Sequence, residues 1–358
     1  MAVLTRASLL AALLLVPTLA WGAPAVTEAK AERQADGQYQ ISWKVVPAGS
    51  PVDVWVAAAP DAKPPAMIRL SHADRDGGEL VKISAAMGRP YFLVQAAGGA
   101  GQRTAERVLP LEGGRNFRDL GGYATKDGHH VRWGRAFRSG VMTGLTEKDY
   151  AYLSAIRIRT VCDFRSADER RSEPTNWQAG EVAYVAWDKE QNMGGFREIM
   201  ASGMPTAAAV KAMFARSYAD MPEEFATQYQ EMFQRLSSGE IPLAFNCSAG
   251  KDRTGVAAAL LLSALGVPRD TVVADYALSD KVVNYEQAMM GGKVNAAFEQ
   301  MQRIPAEIRA PLMASDPEYI KATLDALDRK YGGVENYLRQ RLGITDAQLA
   351  KIRGALLE

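Results

Sequence analysis

Phe245-Asn246-Cys247-Ser248-Ala249-Gly250-Lys251-Asp252-Arg253-Thr254-Gly255 is the stretch on which the fold turns. An apolar run, Ile241 to Phe245, leads into it, and Val256 to Leu265, apolar apart from Ser263, leads out. The second run is too short to span a bilayer. The pattern therefore reads as strand, tight loop and buried helix. Backbone N–H groups at such a helix start have no helical partners, converge on one point and sit at the positive end of the helix dipole. An anion belongs there.

Cys247 and Arg253 stand on either side of that point, five residues between them. A helix N-terminus and neighbouring cations favour thiolate over thiol, so Cys247 reads as a nucleophile. Arg253 offers a planar fork able to grip two phosphoryl oxygens at once. Ser248, Ala249 and Gly250 line the cradle, Lys251 adds a point charge to its rim, and the Thr254 hydroxyl is placed to donate to the sulfur. The loop is not a Walker A motif, because Asp252 follows Lys251 and Phe245 stands where that motif needs its first glycine.

Cys247 to Gly255 resembles the signature loop of cysteine-dependent phosphatases, and Ala249-Gly250-Lys251-Asp252-Arg253-Thr254-Gly255 resembles that of the bacterial tyrosine/serine phosphatase family. Arg115-Asn116-Phe117-Arg118-Asp119-Leu120-Gly121-Gly122-Tyr123 is similar to that family's N-terminal hallmark. Arg138-Ser139-Gly140 and Val161-Cys162-Asp163-Phe164-Arg165-Ser166 resemble its next two blocks, in order. The likeness runs roughly from Gly113 to Leu357. It implies an α/β domain with a central, mostly parallel sheet flanked by helices, metal-free and cofactor-free chemistry, and a phosphorylated protein or phosphoinositide as substrate. One departure is Asn246, where the family usually has His.

At 358 residues and 47% hydrophobic content the chain is long enough for two domains. A net charge of +1 gives no global pull toward nucleic acid or a membrane surface. Arg6, the apolar run Ala7 to Val16 and the small residues through Ala25 have the three parts of a secretory signal at 1–25, which implies a secreted or periplasmic protein with no membrane span after cleavage. Of the two cysteines, Cys162 lies in a strand-like run that a parallel sheet could set beside the strand leading to Cys247; it reads as a buried strand residue, with a Cys162–Cys247 disulfide as the alternative.

Residues 26–111 hold short strand-like runs, Tyr39 to Val45, Val52 to Val56, Leu80 to Ile83, Tyr91 to Ala96 and Arg107 to Leu111, separated by turn clusters. That pattern predicts a small β-sandwich, fibronectin- or immunoglobulin-like, with Trp43 and Trp55 more consistent with core than with a binding platform. Gly113-Gly114 reads as a linker into a phosphatase domain over 112–358. Asn116, Arg118 and Asp119 read as support for the phosphate loop.

Glu147 to Ile156 predicts a helix capped by Thr146, followed by strands at Thr160 to Phe164 and Val182 to Trp187. Arg165, after the first of these, is a candidate for substrate phosphate. Two acids could protonate the leaving group: Asp252 inside the loop, which the family resemblance favours, and Asp188 at the end of a strand. The insertion Gly194 to Gly239, with helical patterning at Ala207 to Tyr218 and Glu223 to Leu236, reads as core or, together with the Met-bearing stretch Tyr285 to Met301 and Met313, as an apolar lid. The sequence reading is a secreted protein phosphatase, phosphotyrosine first, working through a phosphocysteine. Multi-specific phosphoinositide or phytase-like activity, or a weakly catalytic phosphate-binding module, are the alternatives.

Overall fold

The computed structural model describes residues 23–188, 205–283 and 304–358. Most of the expected signal peptide, the start of the insertion and the stretch Tyr285 to Met301 lie outside them. The first module is two antiparallel sheets. Strands β1 (Ala25–Arg33), β2 (Tyr39–Val46), β3 (Val52–Ala57), β4 (Ile68–Asp74), β5 (Gly78–Val81), β6 (Tyr91–Ala96) and β7 (Gly101–Thr104) assemble in the orders β1-β2-β5 and β4-β3-β6-β7. Period-2 alternation sets their inner faces: Val52, Val54 and Val56 of β3 meet Ile41 and Trp43 of β2 and Phe92 and Val94 of β6 in one core. Trp55 points to the other face, beneath the Arg69 guanidinium. Arg107 to Leu111 does not join this sandwich. Its backbone bonds run to the hallmark stretch instead, from Asp119 N–H to Arg107 O and from Leu109 N–H to Phe117 O.

The second module is built on a five-stranded sheet. It comprises β8 (Arg118–Asp119), β9 (Ala136–Ser139), helix α1 (Glu147–Ile156), β10 (Thr160–Asp163), α2 (Ala167–Ser172), β11 (Ala183–Ala186), α3 (Ala207–Glu224), α4 (Ala226–Ser237), β12 (Leu243–Asn246), α5 (Asp252–Ala264), α6 (Arg269–Ala277), α7 (Ser279–Val282), α8 (Ala306–Met313), α9 (Pro317–Tyr331), α10 (Val334–Gln340) and α11 (Asp346–Leu356). The sheet order is β11-β10-β12-β9-β8, parallel except for the edge strand β8. Phe137, Val161 and Ala244 face α1, while Ala136, Cys162 and Phe245 face α4 and α5. Helix α5 is buried almost all round, which explains its apolar run from Val256, broken only at Ser263. The architecture is an α/β domain, a mostly parallel sheet flanked by helices, preceded by a small β-sandwich.

The folded chain decides two readings. Gly113, expected as linker, is pinned: Asp149, which closes the capping box of α1 with Thr146, also accepts the N–H groups of Glu112 and Gly113 at 2.7 and 2.8 Å. The described part of the insertion is core rather than lid, because Tyr229, Met232 and Phe233 of α4 are fully buried and Met213 of α3 packs on Val210 and Ile308.

The two modules meet at a buried ion pair. Arg89 of the sandwich contacts the Asp119 carboxylate at 2.8 Å, both side chains being 1% exposed or less. Asp119 also accepts the N–H groups of Gly121 and Gly134.

Candidate active site

β12 ends at Asn246 and α5 begins at Asp252, so Cys247 through Lys251 form the connecting loop at the C-terminal edge of a parallel sheet. Gly250 has φ of 70°, and a Cβ there would lie 2.4 Å from the Gly140 nitrogen, so only glycine fits. The loop's carbonyls are drawn outward. Gly250 O accepts from Asn116 Nδ2 at 2.8 Å and Arg138 Nη2 at 2.9 Å, and Ser248 O accepts from Val141 N–H at 3.0 Å. A peptide's C=O and the N–H that follows it point in opposite directions. Pulling these two carbonyls out therefore turns the N–H groups of Lys251 and Ala249 inward, as an oxyanion site requires.

Behind the loop lies a buried charge cluster. Asp275 of α6 takes Arg138 Nη1 at 2.6 Å, Arg118 Nε at 3.4 Å and Tyr123 Oη at 2.9 Å. Arg118 in turn reaches the Asn116 side chain and the Ser279 hydroxyl. Burial would push the Asp275 carboxyl up, but the arginines around it hold it well below the usual carboxylate range. Arg118 is brought down to about 10, chiefly by burial and by the like charge of Arg138. The hallmark residues Asn116 and Arg118 thus act on the loop's backbone from a fixed anionic anchor. Asp275 carries no motif in its immediate sequence, and only the packing of α6 on α5 discloses it.

Glu169 is the second residue that the sequence reading missed. Its two oxygens take Arg253 Nη1 and Nη2, each at 2.7 Å, and it also accepts from Ser248 Oγ at 2.6 Å and Ser166 N–H at 2.7 Å. Burial would raise this carboxyl, yet the Arg253 hydrogen bonds and charge, with those from Ser248 and Ser166, bring it down to about 2. Arg253 is likewise held protonated and oriented, its Nη1 also donating to Phe164 O. The signal was present in the sequence: Ser166-x-x-Glu169 is a capping box, and it is formed at the start of α2.

The remaining candidates divide. Cys247 opens the loop and Arg253 stands in the first turn of α5, both nearly inaccessible at 1% and 7% exposure. Asp252, in the first turn of α5, accepts the Tyr218 hydroxyl at 2.5 Å. Gly255 lets the Tyr276 ring approach the helix, since a Cβ there would lie 2.8 Å from it. Thr254 Oγ1 sits 3.5 Å from Ser139 O. Lys251 donates to Leu312 O and Ala314 O at the end of α8, with its ammonium 3.7 Å from Asp252 Oδ1. Arg165 is buried on Asp163, Thr175 and Glu173 O, a carboxylate two residues earlier having claimed its fork. Asp188 has its side chain 88% exposed and is paired with Arg170 at 2.7 Å. Asn246 is buried, and neither polar atom of its amide has a hydrogen-bond partner among the described residues. Its backbone carbonyl accepts from Phe164 N–H.

Cys162 pairs with Phe245 across β10 and β12, which puts it diagonal to Cys247. Strand spacing and two residues of rise place their Cα atoms roughly 8 Å apart, beyond the reach of a disulfide without backbone movement. Burial pushes the Cys162 thiol up to about 12.

This loop, sheet and arginine cradle define a cysteine phosphatase, and the chain belongs to the tyrosine phosphatase family, whose sequence profile matches residues 109–358. Its enzymatic class is that of a protein-tyrosine phosphatase. Over 240 residues the chain is 34% identical to a Cupriavidus necator protein named a candidate tyrosine-protein phosphatase, covering 65% of this chain and 84% of that one. It is 29% identical over 279 residues to the triple specificity protein phosphatase PtpB of Mycobacterium tuberculosis, covering 70% of this chain and 99% of that one. A tyrosine-protein phosphatase of Nostoc commune is 26% identical over 227 residues, covering 60% and 72%.

Proposed function

We propose that the chain hydrolyses phosphate monoesters on proteins, phosphotyrosine foremost, through a phosphocysteine on Cys247. The sulfur attacks phosphorus in line, Arg253 and the inward N–H groups hold the equatorial oxygens, and Asp252 protonates the leaving oxygen. Water then cleaves the phosphocysteine. The observation that carries this reading is the Arg253 guanidinium fixed by Glu169 beside the Cys247 loop, whose carbonyls are tied back by Asn116 and Arg138. Asp252 is preferred to Asp188 as the acid because it belongs to the loop's own helix, whereas Asp188 is engaged by Arg170.

Activity on phosphoserine and phosphothreonine is a second reading, supported by the name of the triple-specificity relative. Phosphoinositide or inositol-phosphate substrates draw less support, since the Lys251 ammonium donates to carbonyls at the end of α8. Export through the signal at 1–25 belongs to the same proposal, and N-terminal sequencing of the protein recovered from periplasm or medium tests it. The activity test is hydrolysis of para-nitrophenyl phosphate with reductant and chelator, beside Cys247→Ser, followed by a phosphopeptide panel. Turnover that survives chelation and is lost in the variant, with phosphate trapped on Cys247, supports the proposal. Phosphate binding without turnover would make the chain a binding module.

A further inference from the structure

Among the described residues, Tyr218 of α3 is the phenol that reaches Asp252. Its hydroxyl lies 2.5 Å from Asp252 Oδ1 and 2.6 Å from the hydroxyl of Tyr276 on α6. The side chain is clamped: the Tyr276 ring stands edge-on at 5.7 Å, the Tyr319 ring of α9 packs at 5.4 Å, and Thr323 Oγ1 donates to the Tyr218 carbonyl at 2.8 Å. Tyr218 and Tyr276 are each 1% exposed, while the Asp252 side chain keeps 28% exposure. An ionised Asp252 only accepts, and with its proton on Oδ2 the Oδ1 oxygen still accepts. The Tyr218 proton therefore goes to Asp252, and the bond between the two phenols must be donated by Tyr276. The order is directional, Tyr276 to Tyr218 to Asp252, and it fills Oδ1.

We propose that Tyr218 is the positioning residue for the general acid: its hydroxyl occupies Oδ1 of Asp252, so that the proton delivered to the leaving group is carried on Oδ2. This rests on the reading of Asp252 as the acid. As the bond from Cys247 sulfur to phosphorus forms and the phosphorus–oxygen bond breaks, the departing oxygen keeps the electron pair and takes the Oδ2 proton. Asp252 is left ionised. A hydrogen bond to an ionised acceptor is about twice as strong as one to a neutral acceptor, so the Tyr218 bond strengthens as the proton leaves. Burial, with Asp252 and Tyr276 alongside, holds the Tyr218 phenol well above its ordinary value, and it remains a neutral donor at working pH. Among the described residues, the charged and titratable groups around Asp252 are Lys251 at 3.7 Å and Cys247 from the loop, Arg253 from α5, Tyr218 from α3, Tyr276 from α6 and Tyr319 from α9.

The test compares Tyr218→Phe with Asp252→Asn in the full chain, on phenyl phosphate, whose leaving group needs a proton, and on para-nitrophenyl phosphate, whose leaving group needs little. General acid catalysis contributes about 10²–10⁴-fold. Tyr218→Phe is expected to lower kcat/KM on phenyl phosphate by roughly ten-fold or more and on the nitrophenyl ester by less than about three-fold, and to move the alkaline limb of the pH profile upward. Equal losses on both esters with an unmoved limb, or no loss at all, would overturn the proposal. If thermal melting shows Tyr218→Phe to be unfolded, Tyr276→Phe keeps the Tyr218 hydroxyl and must show the same discrimination at smaller amplitude, or the proposal fails. Should Asp252→Asn itself fail to discriminate between the esters, the assignment of the acid falls and Tyr218 with it. Discrimination by Asp252→Asn but not by Tyr218→Phe removes Tyr218 alone.

Discussion

Asp275→Asn removes one negative charge and leaves the side chain's shape intact. The cost follows from its neighbours: Arg118 and Arg138 are both 0% exposed, and Asp275 is the carboxylate that the salt bridges of both share. Breaking a buried ion pair from one side costs about 3–5 kcal/mol because the charge left behind has no water to turn to. For a domain of this size each kcal/mol moves Tm by about 2–4 °C, so a fall on the order of 10 °C is expected. Catalysis should fall too, since Arg138 holds both Asp275 and the Gly250 carbonyl. The assay is urea unfolding read beside kcat/KM for para-nitrophenyl phosphate. A second variant separates the two effects. Adding Arg138→Met to Asp275→Asn removes one uncompensated charge and should recover part of the stability while activity stays low. A loss under about 1 kcal/mol for Asp275→Asn, with normal turnover, would refute the claim that this cluster anchors the loop.

Three further outcomes are expected. The Glu169 carboxyl falls from 4.5 to about 2 on folding, so its stabilisation, of order 3 kcal/mol, is full above about pH 4.5 and is lost as pH falls toward 2. The stability gap between the native chain and Glu169→Gln should therefore close over that window, and a gap constant from pH 6 to pH 3 would contradict the assignment. Arg89→Met leaves Asp119 buried without its cation and should destabilise the phosphatase module by about 3 kcal/mol; an unchanged melting curve would mean that the sandwich is merely tethered. Asn246→Leu should cost less than ~1 kcal/mol, because no hydrogen bond of the Asn246 amide to the described residues is lost. A larger loss in urea unfolding would mean that the amide has a role beyond its backbone.

The sequence by itself determined the strand, loop and helix around Cys247, because apolar runs, glycines and a helix start are local features. Gly250 shows this: its positive φ and its contact with the Gly140 backbone are what a tight loop demands of glycine. Thr146 as the cap of α1 and Val52, Val54 and Val56 as an inward face were legible for the same reason. Side-chain partners were not. Arg165 and Lys251 are cations near a phosphate loop, and composition cannot tell that Asp163 and the end of α8 claim them first. Glu169 was readable as a helix cap, but its grip on Arg253 requires β10 to lie beside β12 so that the start of α2 meets the loop. Asp275 and Tyr218 reach the site from helices remote in sequence, and only packing against α5 brings them there. Periodicity records which face of an element is buried. Which charge answers which is settled when the elements close on one another and water is excluded between them.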